Sequence, residues 1–217
     1  MKLGERLACA AKLVKPGTFI DIGSDHGYLP VYLIKNGICV TAAASDINKA
    51  PLERAKATAE RYGVADKMEF FLSDGFESIS KTYDTACICG MGGQVITDII
   101  ERGKGKFNRL IIQPMTKAEL VRQYLWENGY LIENELYPSE SGKPYAVISA
   151  YHDDVFVKYK YNDMFLGRVR PNTDGYRLYA EKVLTAAKKR YGGTKRFDDA
   201  SLAEECLKII ETPNRTF

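Results

Sequence analysis

Along the first 130 residues, short apolar runs alternate with amphipathic stretches, and few architectures accept that alternation. The runs are Thr18–Gly23, Ile38–Asp46, Met68–Leu72, Asp84–Cys89 and Arg109–Gln113. Among them, Tyr28–Asn36, Pro51–Tyr62, Val95–Glu101 and Thr116–Asn128 carry apolar residues at helical spacing. Pro51 predicts the start of its helix and Gly63 its end, while Thr116 with Glu119 predicts a capping box. Strands that alternate with helices predict a parallel sheet covered by helices on both faces, an α/β fold. Tyr130–Tyr137 and Ala146–Tyr151 then break the pattern, because little more than PSESGKP joins them. A parallel crossover needs about a dozen residues or more, so this pair is predicted to be antiparallel.

From about Asp153 the strand patterns stop. Asp174–Arg190 carries Tyr176, Tyr179, Ala180, Val183, Leu184 and Ala187 at helical spacing; Gly192-Gly193 predicts a break, and Asp198–Glu211 a second helix. Together they predict a helical hairpin and a division of the chain into 1–152 and 153–217. Charge follows that division. Residues 1–150 hold 18 Lys+Arg and 18 Asp+Glu, whereas 158–196 hold 11 basic residues against 3 acidic ones. A basic stripe on one module of an otherwise neutral chain fits a polyanionic partner, although a solvated helix face has the same composition. No run approaches the roughly 20 apolar residues that cross a bilayer. The opening MKLGERLACAAKLVKPG reads as an amphipathic helix and lacks the apolar centre of a secretory leader. Five cysteines, odd in number and set in apolar runs, fit reduced thiols in a cytoplasm.

The chemistry is concentrated where the strands end. Asp21-Ile-Gly23-Ser24-Asp25-His26-Gly27 closes the first strand and opens a helix, so backbone amides there can meet the polar end of a ligand. Gly23 lets the chain turn, and Gly27 is expected to leave room where the ligand lies close. Asp46 ends the second strand with Ile47 beside it, placed to accept hydrogen bonds from ribose hydroxyls. Asp74-Gly75 ends the third, where an adenine can be met. Either acid also suits a plain turn or a helix cap. The fourth strand runs into Gly90-Met91-Gly92-Gly93, a costly set of glycines that predicts backbone against the reacting centre. Cys87 and Cys89 share one side of that strand and read as core; with no further Cys or His nearby, no metal site is expected. His26 either takes part in the chemistry with Asp25 or simply orients the turn.

FIDIGSDHGYLPVYL, ASDINKAPLERA, LSDGF and GMGG, followed by a helical tail, closely resemble the bacterial TrmK family of tRNA (adenine(22)-N1)-methyltransferases. The resemblance spans nearly the whole chain and implies a Rossmann-like class I methyltransferase sheet, S-adenosyl-L-methionine as cofactor and tRNA as substrate. It implies that Asp21, Gly23 and Gly27 line the methionine side of the cofactor, Asp46 the ribose, and Asp74 and Gly75 the adenine; Ser24 and Ile47 are further candidate cofactor contacts. Many relatives have Ala where this chain has Gly27, a small departure. The antiparallel closing pair favours the same class over nicotinamide dehydrogenases, which usually keep their sheets parallel and use a Gly-x-Gly-x-x-Gly turn that is missing here.

Enzymes that methylate an exocyclic amine often carry Asn/Asp-Pro-Pro-aromatic after the fourth strand, and GMGG stands in its place. Ring nitrogen N1 has an in-plane lone pair and no hydrogen to lose, so it needs positioning and a group that tolerates the developing cation. Asp25 with His26 is expected to fill that role over a floor of Gly90, Met91 and Gly92. Tyr28, Gln94 and Gln113 are candidate pocket residues, and Arg168, Arg170, Lys188, Lys189 and Arg190 candidate tRNA contacts. The tail tyrosines suit hairpin core better than base stacking. No membrane, metal or obligate protein partner is expected. The rival readings are a methyltransferase acting on a small molecule or protein and a catalytically silent RNA-binding module.

Overall fold

The computed structural model describes residues 1–212. Seven strands form one sheet. They are β1 (Gly17–Ile22), β2 (Cys39–Asp46), β3 (Met68–Leu72), β4 (Tyr83–Gly92), β5 (Phe107–Thr116), β6 (Tyr130–Leu136) and β9 (Val147–His152), in the order β3-β2-β1-β4-β5-β9-β6. The first five pair in parallel. β9 slides in antiparallel between β5 and β6, with Ile112 opposite Ile148 and Leu136 opposite Val147. The predicted antiparallel pair therefore closes the sheet, and its second strand is the one that meets β5. A small ladder of β7 (Ser139–Glu140) and β8 (Lys143–Pro144) occupies the link.

The two-residue period of the strands sorts the core into two layers. Phe19, Ala42, Ala44, Cys87, Ile111 and Val147 face α1 (Glu5–Leu13), α2 (Tyr28–Lys35) and α3 (Lys49–Arg61). Their sequence neighbours Ile20, Ala43, Ile88, Leu110, Ile112 and Ile148 face α4 (Gly93–Arg102) and α5 (Ala118–Glu127). The tail helices α6 (Tyr161–Leu166), α7 (Asp174–Thr194) and α8 (Phe197–Glu211) join that second layer: Leu166, Tyr176, Tyr179, Val183, Leu202 and Cys206 belong to one apolar cluster with the sheet. Tyr176 and Tyr179 are thus core, as their spacing suggested, whereas Tyr191 is exposed. The hairpin is antiparallel, tied at one end by Arg177 to the Thr212 carbonyl and at the other by Arg190 to Asp199.

Three local expectations change, and one helix is new. The Thr116–Glu119 capping box does not form: β5 runs on to Thr116, which pairs with Gly92, and Lys117 turns the chain with φ 56°. Gly192-Gly193 does not break α7. Both residues are exposed, so the helix bears only a propensity cost of about 1 kcal/mol for each, and it ends at Lys195 with φ 56°. α3 starts at Lys49, two residues before Pro51, which still lies in the first turn where amides have no helical partner. α6 carried too few residues to show a period; it is capped by the Asp163 carboxylate, which accepts from the Lys160 amide at 2.9 Å.

Candidate active site

β1 connects outward to β2 on one side and lies beside β4 on the other, so the strand order reverses at the carboxyl end of β1, where ligands enter open α/β sheets. A cavity of about 390 Å³ opens there, lined by Arg6, Asp21, Ser24, Tyr28, Cys89 and Gly90 among others. Its turn is anchored by the Gly23 and Ser24 amides, which both donate to the Ser45 carbonyl at 2.8 and 3.0 Å. Asp21 is buried, and burial pushes its pKa up to about 7. Nearby Ser24 and Cys87 pull the other way, and the charge of Asp46 adds to the rise. Ser24 Oγ is buried and, among the described residues, finds no partner of proper hydrogen-bond geometry. Gly27, with φ 65°, lines the same cavity, but the direction a Cβ would take leads to Ala55 Cβ at 3.0 Å. Its lack of a side chain serves the close packing of α2 on α3, not the ligand approach expected of it.

Asp25 and His26 stand at the cavity's mouth. Asp25 is 58% exposed and its carboxylate pairs with Arg54, while His26 Nε2 lies 3.5 Å away. His26 stacks on Tyr28, ring centroids 5.0 Å apart. The expected pair is therefore together, with a cation beside it that local sequence did not reveal.

At the end of β2, Asp46 is buried, and its Oδ1 accepts from the Asn48 amide at 2.8 Å. Ile47 is 62% exposed and Leu72, at the end of β3, 55% exposed. Both stand at the carboxyl ends of paired strands, where Asp46 is opposite Leu72. Asp74 is turned outward, held by both nitrogens of Arg102, and the guanidinium holds its carboxyl below the usual range. Gly75 packs towards Ile99, and its carbonyl faces Ser45 Oγ at 3.4 Å.

The glycine run after β4 divides its work. Gly90 has open space around it and donates its amide to Gln113 Oε1 at 3.2 Å. The Met91 methyl fills the space over Gly23. Gly92 meets Thr116, and a Cβ on Gly93 would sit 2.3 Å from the Lys117 carbonyl, so this glycine admits the β5–α5 turn rather than a ligand. Gln113 is completely buried, and its Nε2 donates to the Pro114 carbonyl at 3.0 Å. Gln94 instead bonds Asp98 on its own helix. The residue that sequence reasoning missed is Arg6. From α1 it reaches Gln113 Oε1 at 2.8 Å, the Met115 sulfur at 3.4 Å and the Glu140 carboxylate, and it lines the cavity. Nothing local marks it, since its partners lie 107 to 134 residues away.

Of the basic tail candidates, Arg170 is bound to Asp163 and Glu205, and Arg190 to Asp199, whereas Arg168, Lys188 and Lys189 are exposed. Cys87 and Cys89 sulfurs lie 3.3 Å apart as free thiols. Among the described residues, no cluster of three metal-ligating side chains occurs, and no helix is long and apolar enough to cross a membrane.

A buried acid that lacks a cation, an orphaned hydroxyl beside it, a polar residue at the end of β2 and two exposed aliphatic side chains together suit a positively charged nucleoside. The methionine ammonium and sulfonium of S-adenosylmethionine fit the Asp21–Ser24 end, and a ribose and adenine fit Asp46, Ile47 and Leu72. A family model described as a methyltransferase domain matches residues 3–148. The tRNA (adenine(22)-N(1))-methyltransferase of Bacillus subtilis (strain 168) is 37% identical over 159 residues, 71% of this chain and 67% of that one. The crystal structure of the B. subtilis enzyme superposes with a TM-score of 0.77 at 28% identity, covering 97% of this chain and 96% of the other. TrmK of M. capricolum in complex with S-adenosyl-homocysteine superposes with a TM-score of 0.81 at 27% identity, covering 96% of each chain.

Proposed function

The chain belongs to the methyltransferase-domain family, among the tRNA (adenine(22)-N1)-methyltransferases, and from that premise we propose that it methylates N1 of adenine 22 in tRNA with S-adenosyl-L-methionine as donor. The observation that carries the reading is the enclosed Asp21 with the unpartnered Ser24 hydroxyl at the switch point of the sheet. S-adenosylmethionine, when bound, supplies an electrophilic methyl group on a sulfonium. Asp21 and Ser24 hold its methionine end, with Gly23 and Gly27 in the same turn. Asp46 accepts from the ribose, and Ile47 and Leu72 cover the adenine from either side. Asp74 and Gly75 set the end of that pocket from outside, through Arg102 and Ile99.

The target adenine enters beside Gly90, Met91 and Gly92, with Tyr28 and Arg6 on its flanks. Gln113 holds the Gly90 amide and the Arg6 guanidinium in place, so it is a positioning residue. The N1 lone pair forms the new bond while the methyl–sulfur bond breaks, and positive charge passes to the adenine ring. Asp25, with His26, offsets that charge from the mouth of the cavity, at a strength reduced by Arg54. No acceptor for an amine proton is needed, in keeping with GMGG in place of an Asn/Asp-Pro-Pro motif. Residues 153–217 serve as the tRNA-holding element, with Arg168, Lys188 and Lys189 free for phosphates, and the reaction is cytoplasmic.

The test is incubation of the full chain with labelled S-adenosylmethionine and unmodified tRNA, then nucleoside mass spectrometry at neutral pH. N1-methyladenosine at position 22 is the expected product. Methylation of protein alone, or N6-methyladenosine as the primary product, would overturn the reading.

A further inference from the structure

A second cavity, about 250 Å³, lies on the far side of the carboxyl end of β5, between the sheet and the tail. Met115, Phe165, Tyr179 and Val183 give it an apolar and aromatic wall, and Lys117, Lys182 and Arg190 give it cations, against one carboxylate, Glu119. Several features separate it from a packing defect. The Lys182 ammonium has no salt bridge among the described residues; it donates to the Pro144 carbonyl at 3.1 Å and lies 5.4 and 6.0 Å from the rings of Tyr145 and Tyr179. Burial pushes its pKa down, with Glu119 opposing the shift. The Arg190 guanidinium lies 4.5 Å over the Phe165 ring, and its Nη2 is buried without a partner among the described residues. Lys117 stands at the N-cap of α5, and among the described residues its ammonium forms no ion pair.

This cavity is also one residue away from the cofactor cleft. Met115 lines it, the Met115 sulfur accepts from Arg6 at 3.4 Å, and Arg6 lines the other cavity. An aromatic wall edged by cations is what holds a base by stacking and its phosphate by charge. A free anion would have no use for the wall, and an apolar ligand none for the cations. Extruding the target adenine also displaces its neighbours, which then need a seat.

We infer that this cavity seats a nucleotide of the RNA next to the target adenine, its base against the wall of Met115 and Phe165 and its phosphate against Lys117, Lys182 and Arg190. The inference rests on the tRNA reading above. It makes the sheet–tail junction part of the substrate site, whereas the exposed stripe alone would give only general attraction.

The test compares the full chain with Lys117→Gln, Lys182→Gln and the double variant, leaving Arg190 intact because Asp199 depends on it. The double variant should raise KM for tRNA about tenfold, with kcat and the Kd for S-adenosylmethionine within about twofold. Its slope of log Kd against log salt should fall by about 1 to 2, as two phosphate contacts are lost. Lys182→Arg should restore most of the affinity. An abasic nucleotide on one side of the target should weaken binding to the wild type more than to the double variant. Unchanged KM and salt slope in the double variant, or no effect of an abasic site on either side, would sink the inference. Should the wild type methylate tRNA while the variants behave normally, this seat alone fails; should the wild type fail to methylate tRNA at all, the reading beneath it fails too.

Discussion

The joint between sheet and tail and the cofactor cleft both bury charge, and they treat it in opposite ways. At the joint between sheet and tail, Arg122 and Glu135 are both fully buried, 2.7 Å apart. Arg122 also donates to the Met164 and Phe165 carbonyls and to the Tyr179 hydroxyl. Tyr137 donates to Glu135 at 2.6 Å and Tyr176 to the Leu166 carbonyl at 3.0 Å, so α6 ends on a ring of donors. Burial alone would lower the Arg122 pKa, but Glu135 leads a set of partners that raises it well above its ordinary value. All but one nitrogen of that guanidinium is matched, Nη2 being the exception. At the cofactor cleft, by contrast, Asp21 has only weak neighbours and the Ser24 hydroxyl no well-formed hydrogen bond among the described residues. Buried charge answered by the protein holds architecture together; buried charge left unanswered waits for a ligand.

The contrast breaks first at the joint if it breaks at all. Glu135→Ala should cost about 3–5 kcal/mol in chemical denaturation, because it strands a buried guanidinium. A loss below about 1 kcal/mol would mean that the joint is not the clamp described. Truncation near Asp153 would strip the same partners, so it does not isolate the tail's role.

Asp21→Asn should act in the reverse sense. Its folded pKa lies above the ordinary carboxylate value, so the stability it contributes without cofactor is full at low pH and is lost as pH rises from that value through about 7. The Asn variant should therefore melt higher than wild type above about 7 and not at acid pH. Cofactor affinity of the wild type should rise with pH through the same range, since the ionised acid faces a cation; in the variant it should be flat and about ten- to a hundredfold weaker, as expected for a lost charged hydrogen bond. Calorimetry at several pH values decides, and a pH-independent wild type would remove Asp21 from the methionine end.

Asp46→Ala should weaken the cofactor by about tenfold, the equivalent of one hydrogen bond to a charged acceptor. Unchanged affinity in the folded variant would leave Asp46 as a turn former for Asn48. Asp25→Ala is expected to have the smallest effect, a fall in kcat of about fivefold with little change in cofactor Kd, because the exposed, Arg54-paired carboxylate is screened. A fall of about a thousandfold would make it the dominant electrostatic group.

The strand–helix alternation, the antiparallel closing pair, the acidic turns at the ends of β1 and β2 and the apolar face of α7 were all legible in the sequence. Each depends on periodicity or on residues a few positions apart, and a chain cannot hide such signals. The turn that replaced the Thr116 cap was not legible, because Thr116 is held in β5 by Gly92 on another strand. Nor was the capture of Asp74 by Arg102, 28 residues on, or of Asp25 by Arg54, 29 residues on. Arg6 entering the site from α1 and Arg122 disappearing beneath the tail belong to the same class. Composition marks a charged side chain as something that needs a partner, but only the tertiary fold brings in the partner. Whether that partner is another residue or a ligand depends on the position of the opposite charge in space, and distance along the chain does not encode it.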